Sequence, residues 1–293
     1  MTNPPQRSEQ AMFDLILATA RADERIRAVI MNGSRTDSGA PRDPFQDFDI
    51  VYLVTDVAPF ANNRPWIARF GPQMIVQLPD AMGDTAPEGG SFGYLMQFAD
   101  GNRIDLTLYP VEKLGEMARD SLSVLLLDKD GIVAPFDPPH TGDYLPKPPT
   151  AKQFDDCCNE FWWVATYVGK GLWRGEIIYA KTMQDEVVRS QLMLMLTWYI
   201  GVKTGFTASP GKLGKYFPRY LEPALWQQLL ATYAGADIDA TWEALFTMCD
   251  LFRAVALAVA DHFGYSYPHG DDERVSTHLA HVRTLPKDAA TIY

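Results

Sequence analysis

Residues 31–53, Met-Asn-Gly-Ser-Arg-Thr-Asp-Ser-Gly-Ala-Pro-Arg-Asp-Pro-Phe-Gln-Asp-Phe-Asp-Ile-Val-Tyr-Leu, constrain this chain more than any other stretch. The apolar run Val29-Ile30-Met31 reads as a short buried strand ending at Gly33-Ser34, and Asp47-Phe48-Asp49 opens a second run, Ile50–Val54. Side chains alternate faces along a strand, so Asp47 and Asp49 point the same way. Two like charges about 4 Å apart repel by roughly 4 kcal/mol at an effective dielectric of about 20. The pair therefore needs a cation, a shared proton or water. Hard oxygen donors of this kind suit Mg²⁺, which is commonly held by one or two carboxylates together with substrate phosphates. Glycine at position 33 lets backbone approach an anion closely, and the Ser34 hydroxyl and amide can donate to phosphate oxygens. Gly-Ser alone is a common turn, and Asp-x-Asp alone is often a solvated strand edge.

In this order and spacing, each attached to a strand, Gly33-Ser34 and Asp47-x-Asp49 resemble the signature of the polymerase-β-type nucleotidyltransferase superfamily. That pattern wants a third carboxylate on a neighbouring strand, and the match is Asp105 in Asn102-Arg103-Ile104-Asp105-Leu106-Thr107-Leu108. Ile104, Leu106 and Leu108 alternate with Asp105, Thr107 and Tyr109, which makes a half-buried strand with the acid on its less apolar face. By itself Asp105 reads as an exposed strand acid paired with Arg103. Beside the first two carboxylates it becomes the third member of a site.

A chain of 293 residues, 47% hydrophobic and 12% aromatic, has the material for one large or two ordinary cores, which argues against disorder. No apolar run has the length and purity of a membrane span, and Met1–Pro5 carries no signal-peptide core. Cys157, Cys158 and Cys249 lack metal-ligand spacing and read as small buried residues of a reducing compartment, so a cytoplasmic protein is expected. A net charge of −11 makes a poor host for nucleic acid and a better one for a cationic substrate. ATP can still bind with its charge screened by Mg²⁺.

Along the chain, Ser8–Arg25 has amphipathic helical spacing with Ser8 as N-cap. Trp66–Phe70 reads as a short helix, Gln73–Leu78 as a strand, and Asp80–Gly93 as a loop, mobile over the site. Tyr94–Ala99 and Arg103–Tyr109 read as a hairpin turning at Asp100-Gly101. Val111–Asp120 resembles a short helix, and Val124–Asp128 and Ile132-Val133 are further strand candidates. Six prolines in residues 135–149 mark a connector between domains. Beyond it the signals are helical. Lys152–Tyr167 is a helix ended by Gly169, Gly171 and Gly175, and Glu176–Lys203 is a single long helix. Thr207–Arg219 is a basic loop containing Lys212 and Lys215. Pro223–Ala234 and Asp239–His262 are further helices, and residues 263–293 are a partly ordered tail with a short helix at Asp272–Val282. The fold class expected is α+β: a nucleotidyltransferase domain at 1–143, a mixed sheet flanked by helices, followed by a helical bundle at 150–293.

The second half sharpens the resemblance. Cys157–Val164, Tyr167–Arg174 and Trp198–Gly201, with Met31–Arg35 and Phe45–Ile50, are similar to the aminoglycoside 6-adenylyltransferases, also called streptomycin adenylyltransferases. The likeness runs from about residue 8 to residue 265. It implies transfer of AMP from ATP to a hydroxyl of an aminoglycoside such as streptomycin, with release of pyrophosphate. In that reading Asp47 and Asp49 hold Mg²⁺ against the triphosphate, and Gly33 and Ser34 cradle the phosphates. Asp105 accepts the acceptor's proton and touches a second metal. Lys212 and Lys215 close over the triphosphate, or else belong to a solvated basic loop. Glu160, Trp163 and Asp185 are the candidates for the polycationic acceptor. Against that, a tryptophan such as Trp163 is more often a core residue than a ligand platform, and Asp185 reads as part of a solvated helix face with Lys181 and Arg189. Two alternatives stay open: the same chemistry on a lincosamide or a protein hydroxyl, and a catalytically silent nucleotide-binding module. Nothing points to a nucleic-acid or membrane partner. The oligomeric state is open, with a monomer the working expectation.

Overall fold

The structure, a computed structural model, describes residues 4–82 and 90–293. It divides into two compact units, Met1–Asp143 and Tyr144–Tyr293. In the first, helix α1 (Glu9–Ala22) starts where the Ser8 hydroxyl accepts the Ala11 N–H at 3.2 Å, as its sequence leads one to expect. A six-stranded mixed sheet follows, built from β1 (Ile26–Asn32), β2 (Phe48–Val54), β3 (Gln73–Gln77), β4 (Phe92–Phe98), β5 (Arg103–Pro110) and β6 (Ser123–Asp128). Its order is β3-β4-β5-β2-β1-β6, with β2 and β5 parallel and the other neighbours antiparallel. A short helix α2 (Ala58–Ala61) and a 3-10 segment, Arg64–Phe70, connect β2 to β3.

Alternation sorts the strand residues between two faces. Phe48, Ile50, Tyr52, Ile104, Leu106 and Leu108 join Met12, Ile16 and Ala20 of α1 in the main core. The Tyr52 hydroxyl donates to the Ile16 carbonyl at 2.7 Å, tying helix to sheet. The odd-numbered positions of β2 and β5 take the other face, where Leu53 with Ala28 and Ile30 of β1 and Val133 forms a small second cluster backed by Val51 and Tyr109. Asp49 and Asp105 stand on this second face, at the start of their strands.

Several local expectations are corrected. Strand β4 begins at Phe92, inside the expected loop, and Pro79–Ala81 is a 3-10 turn. The rest of that loop, 83–89, lies outside the described residues, and with it the expected mobility over the site. Val111–Glu116 is a 3-10 helix. Ile132-Val133 is not a strand, because the Asp128 carboxylate accepts the N–H groups of Asp130, Gly131 and Val133 and folds the segment into a turn.

The second unit is helical: α3 (Ala151–Arg174), α4 (Ile177–Thr182), α5 (Arg189–Thr204), α6 (Phe217–Tyr220), α7 (Pro223–Ala231), α8 (Ile238–Phe263) and α9 (His269–Thr284). A capping box between Thr150 and Gln153 starts α3, and Gly175, at φ +75°, ends it. Gly169 and Gly171 do not end the helix. They are buried within it, where a Cβ on Gly169 would lie 2.6 Å from Leu279 and one on Gly171 2.9 Å from Tyr179. The expected long helix 176–203 is interrupted by a π-helical stretch, Met183–Val188, between α4 and α5. The core includes Phe161 stacked on Phe252 at 3.7 Å. The tail is more ordered than its composition suggests. Buried Asp272 accepts from Arg253 Nε, Arg253 Nη2 and the Tyr267 hydroxyl at 2.6, 2.6 and 2.7 Å, fastening α9. No helix of the described residues is long and apolar enough to cross a membrane.

Candidate active site

The site grows out of strand register. Parallel pairing of β2 with β5 sets Asp49 directly opposite Asp105, and antiparallel pairing of β1 with β2 sets it opposite Asn32. Asp47, two residues before Asp49, continues the same face. One carboxylate oxygen from each of Asp47, Asp49 and Asp105 lies within 4.8 Å of the others. Asp49 is half-buried, and its pKa is raised from 3.8 to about 7. Burial contributes most, followed by the charges of Asp47 and Asp105; Arg103 opposes them and Asp120 adds to them. A compact, oxygen-only, three-carboxylate cluster fits a hard divalent cation.

Gly33 stands against this cluster. It leaves β1 at φ +77° and starts a 3-10 turn, Gly33–Arg35, while its N–H is held by the Leu122 carbonyl at 3.0 Å. A Cβ there would sit 2.1 Å from Asp49 Oδ2, so only glycine leaves the carboxylate its place. Ser34 lies on the same turn, where the Gln46 amide reaches its hydroxyl and carbonyl at 3.4 Å. Arg35 fastens the 36–46 loop. Its Nε donates to the Asp47 carbonyl at 2.8 Å, its Nη2 donates to the Gln46 carbonyl at 2.7 Å, and its guanidinium lies 3.7 Å from the Phe48 ring centre. Both ends of the loop are thereby pinned beside the acids.

Sequence reasoning left three contributors without a role. Arg35 was visible only as part of the Gly-Ser-Arg string, with nothing to show that it reaches twelve residues ahead. Asp120 touches the site through its charge on Asp49. Arg103, which in the sequence suggests only an ordinary ion pair for Asp105, forks both Asp105 oxygens while Asp105 remains within the cluster.

In the helical unit, Glu160 lines a cavity of about 670 Å³ with Gln153, Asp156, Asn159, Gln191 and Trp198 among its neighbours. Trp163 and Asp185 do not line it. Trp163 is 60% exposed, and its indole N–H donates to the Tyr167 hydroxyl at 2.8 Å, so it is no core residue. Asp185 pairs with Lys181 at 3.0 Å and Arg189 at 2.9 Å. Burial pushes its pKa up, but the hydrogen bonds from Arg189 and Lys181 outweigh that and leave it lowered. Lys212 opens a 3-10 turn, Lys212–Gly214, in which the 90% exposed Leu213 holds φ +56°. Lys215 follows it and lies 5.0 Å from the Tyr216 ring centre.

A mixed sheet carrying a glycine turn and three converging carboxylates, with a helical region after it, defines a nucleotidyltransferase. The streptomycin adenylyltransferase family model matches residues 6–282, and the chain belongs to that family. The chain is 44% identical over 269 residues to an aminoglycoside 6-adenylyltransferase of Bacillus subtilis (strain 168), covering 91% of this chain and 95% of that one. It is 42% identical over 274 residues to the enzyme of the same name from Campylobacter jejuni, covering 93% and 95%. The crystal structure of an aminoglycoside 6-adenyltransferase from Bacillus subtilis is similar at 38% identity and a TM-score of 0.47, covering 95% of this chain and 100% of that one.

Proposed function

We propose that the protein transfers AMP from ATP to a hydroxyl of an aminoglycoside, streptomycin being the foremost candidate, with Mg²⁺ as cofactor and pyrophosphate as the second product. The convergence of Asp47, Asp49 and Asp105 carries this reading. The family description and the names of the relatives supply the acceptor class. Asp47, Asp49 and Asp105 would hold Mg²⁺. When bound, the ion neutralises charge on the triphosphate and on the departing pyrophosphate, an effect worth several kcal/mol in such transfers. Gly33 keeps Asp49 Oδ2 in place, and Ser34 presents its hydroxyl and amide to the phosphates. An Asp105 oxygen accepts the proton of the attacking hydroxyl. Lys212 and Lys215 supply positive charge to the triphosphate.

The acceptor, a polycation, needs carboxylates and flat apolar surface. Asp156, Glu160 and Trp198 around one cavity offer both, which makes Glu160 the strongest of the acceptor-binding candidates. Trp163 contributes as an exposed aromatic face on the same helix. Asp185 contributes least, since two cations already neutralise it. A cytoplasmic location suits this reading, since ATP is available there and the three buried free cysteines would stay reduced. The test is pyrophosphate release with ATP, Mg²⁺ and a panel of aminoglycosides, a lincosamide and a protein substrate. Release with streptomycin and adenylylated streptomycin by mass spectrometry are expected. Release only with the lincosamide or protein would reassign the acceptor, and none with any would favour a silent binding module.

A further inference from the structure

Arg103 stands against two of the three carboxylates, Asp105 and Asp47, as closely as the three stand to one another. Its Nε donates to Asp105 Oδ1 at 2.7 Å, its Nη2 donates to Oδ2 at 2.6 Å, and its Nε lies 3.9 Å from Asp47 Oδ2. Register puts it there. Phe48 pairs with Ile104 and Asp49 with Asp105, so one step back Arg103 falls beside Asp47. The result on one sheet face is a square of Asp47, Asp49, Asp105 and Arg103. The fork is bidentate, the strongest form of a guanidinium–carboxylate contact. Its side chains are 44% and 19% exposed, so solvent screens it only in part.

We propose that Arg103 is a built-in competitor for the acid cluster, a positioning residue that weakens the hold of the three carboxylates on a free divalent ion. The inference rests on the reading of the cluster as a metal site. The oxygens that Asp105 would offer a cation are those already engaged by the fork. A divalent ion drawn in must loosen the fork or sit close to a fixed positive charge. Either costs affinity. An ion arriving with a nucleotide brings phosphate ligands and negative charge that offset this cost, because the guanidinium then faces anionic oxygens. The square therefore favours the metal–nucleotide complex over the free metal, which a bare three-carboxylate cluster would not do.

The test uses the full-length chain stripped of divalent ions by chelation and dialysis, titrated with MnCl₂ in the absence of nucleotide, with free Mn²⁺ followed by electron paramagnetic resonance. Arg103→Gln should bind Mn²⁺ about five- to thirty-fold more tightly than wild type, as expected for removing a unit charge from beside a divalent ion in a well-solvated setting. Arg103→Lys, which keeps the charge and loses the fork, should fall between them, and it serves alone if the glutamine variant does not fold. Equal or weaker Mn²⁺ binding by these variants overturns the proposal. Asp49→Asn separates this failure from that of the underlying reading. If Arg103→Gln, freed of the competing charge, binds no Mn²⁺, or binds it no better than the double variant Arg103→Gln with Asp49→Asn does, the metal assignment itself falls.

Discussion

The charge on Asp49 weakens the fold that positions it, and the substitution Asp49→Asn measures by how much. Its pKa stands at about 7 in the folded chain against 3.8 ordinarily. Each pH unit of difference is worth about 1.4 kcal/mol, so the displacement of about 3 sets an upper bound near 4 kcal/mol. The sign follows from proton binding. Between those two values the folded chain holds a proton that the unfolded chain has released, so stability is fully present below pH 3.8 and falls as pH rises through about 7. Partial exposure and relaxation reduce the cost, and a loss of about 1–3 kcal/mol is expected at pH 7.5. Asn has nearly the same shape and cannot ionise. In urea unfolding with a chelator present, Asp49→Asn should match wild type near pH 4 and exceed it by that margin at pH 7.5. With two compact units, only the transition of the first should move. Adding Mg²⁺ should stabilise wild type and close the gap. A variant no more stable than wild type at pH 7.5, or one whose advantage is the same at both pH values, would refute the reasoning, since a pH-independent difference reports packing rather than charge.

The same Asp49→Asn variant should lose about 10³ in turnover at saturating Mg²⁺, equivalent to roughly 4 kcal/mol of transition-state stabilisation, and near-normal turnover would remove Asp49 from the metal set. Asp105→Asn should leave ATP binding by calorimetry nearly unchanged and cut turnover by about 10²–10⁴; abolished ATP binding would make Asp105 chiefly a metal ligand. Gly33→Ala should inactivate the enzyme and cost about 1–3 kcal/mol in unfolding experiments, because its Cβ would meet Asp49 Oδ2 at 2.1 Å and its φ is +77°. Glu160→Gln should raise KM for the aminoglycoside by about tenfold with KM for ATP unchanged, a difference of about 1.4 kcal/mol in binding one cationic group; equal effects on both would take Glu160 out of the acceptor site. Lys212→Ala or Lys215→Ala should raise KM for ATP more than KM for the acceptor, and parallel changes would return both to the solvated-loop reading.

What could be read from the sequence was set by how locally each feature is determined. The Ser8 cap and the hairpin turning at Asp100-Gly101 depend on residues within a few positions, and the structure follows the expectation at both; of the three glycines expected to end the helix that begins near Lys152, only Gly175 does. Gly169 and Gly171 misled because glycine marks helix ends when nothing else is known. Here the space they leave is filled by Leu279, more than a hundred residues away, and by Tyr179 of the following helix. The π-helical stretch left no signal in spacing, and the order in the tail depends on the buried pair of Arg253 and Asp272.

The acid cluster shows the same limit within one site. Alternation is enough to put Asp47 and Asp49 on one face, because Asp47 immediately precedes β2 and Asp49 lies within it. That Asp105 joins them, and that Arg103 completes the square, depends on which strand lies beside β2 and in what register. β5 is reached only after two further strands, and parallel neighbours of this kind are not set by any turn. A slip of one residue in that pairing would move Asp105 to the α1 face and bring Ile104 or Leu106 to the acids. The main core forbids it, since Ile104, Leu106 and Leu108 are each 1% exposed or less against Phe48, Ile50 and Tyr52. The apolar face thus holds the register that the charged face would oppose. Repulsion among three carboxylates, eased by Arg103, is sustained because sliding the strands apart would cost the burial of six large side chains, about 1.5–3 kcal/mol each.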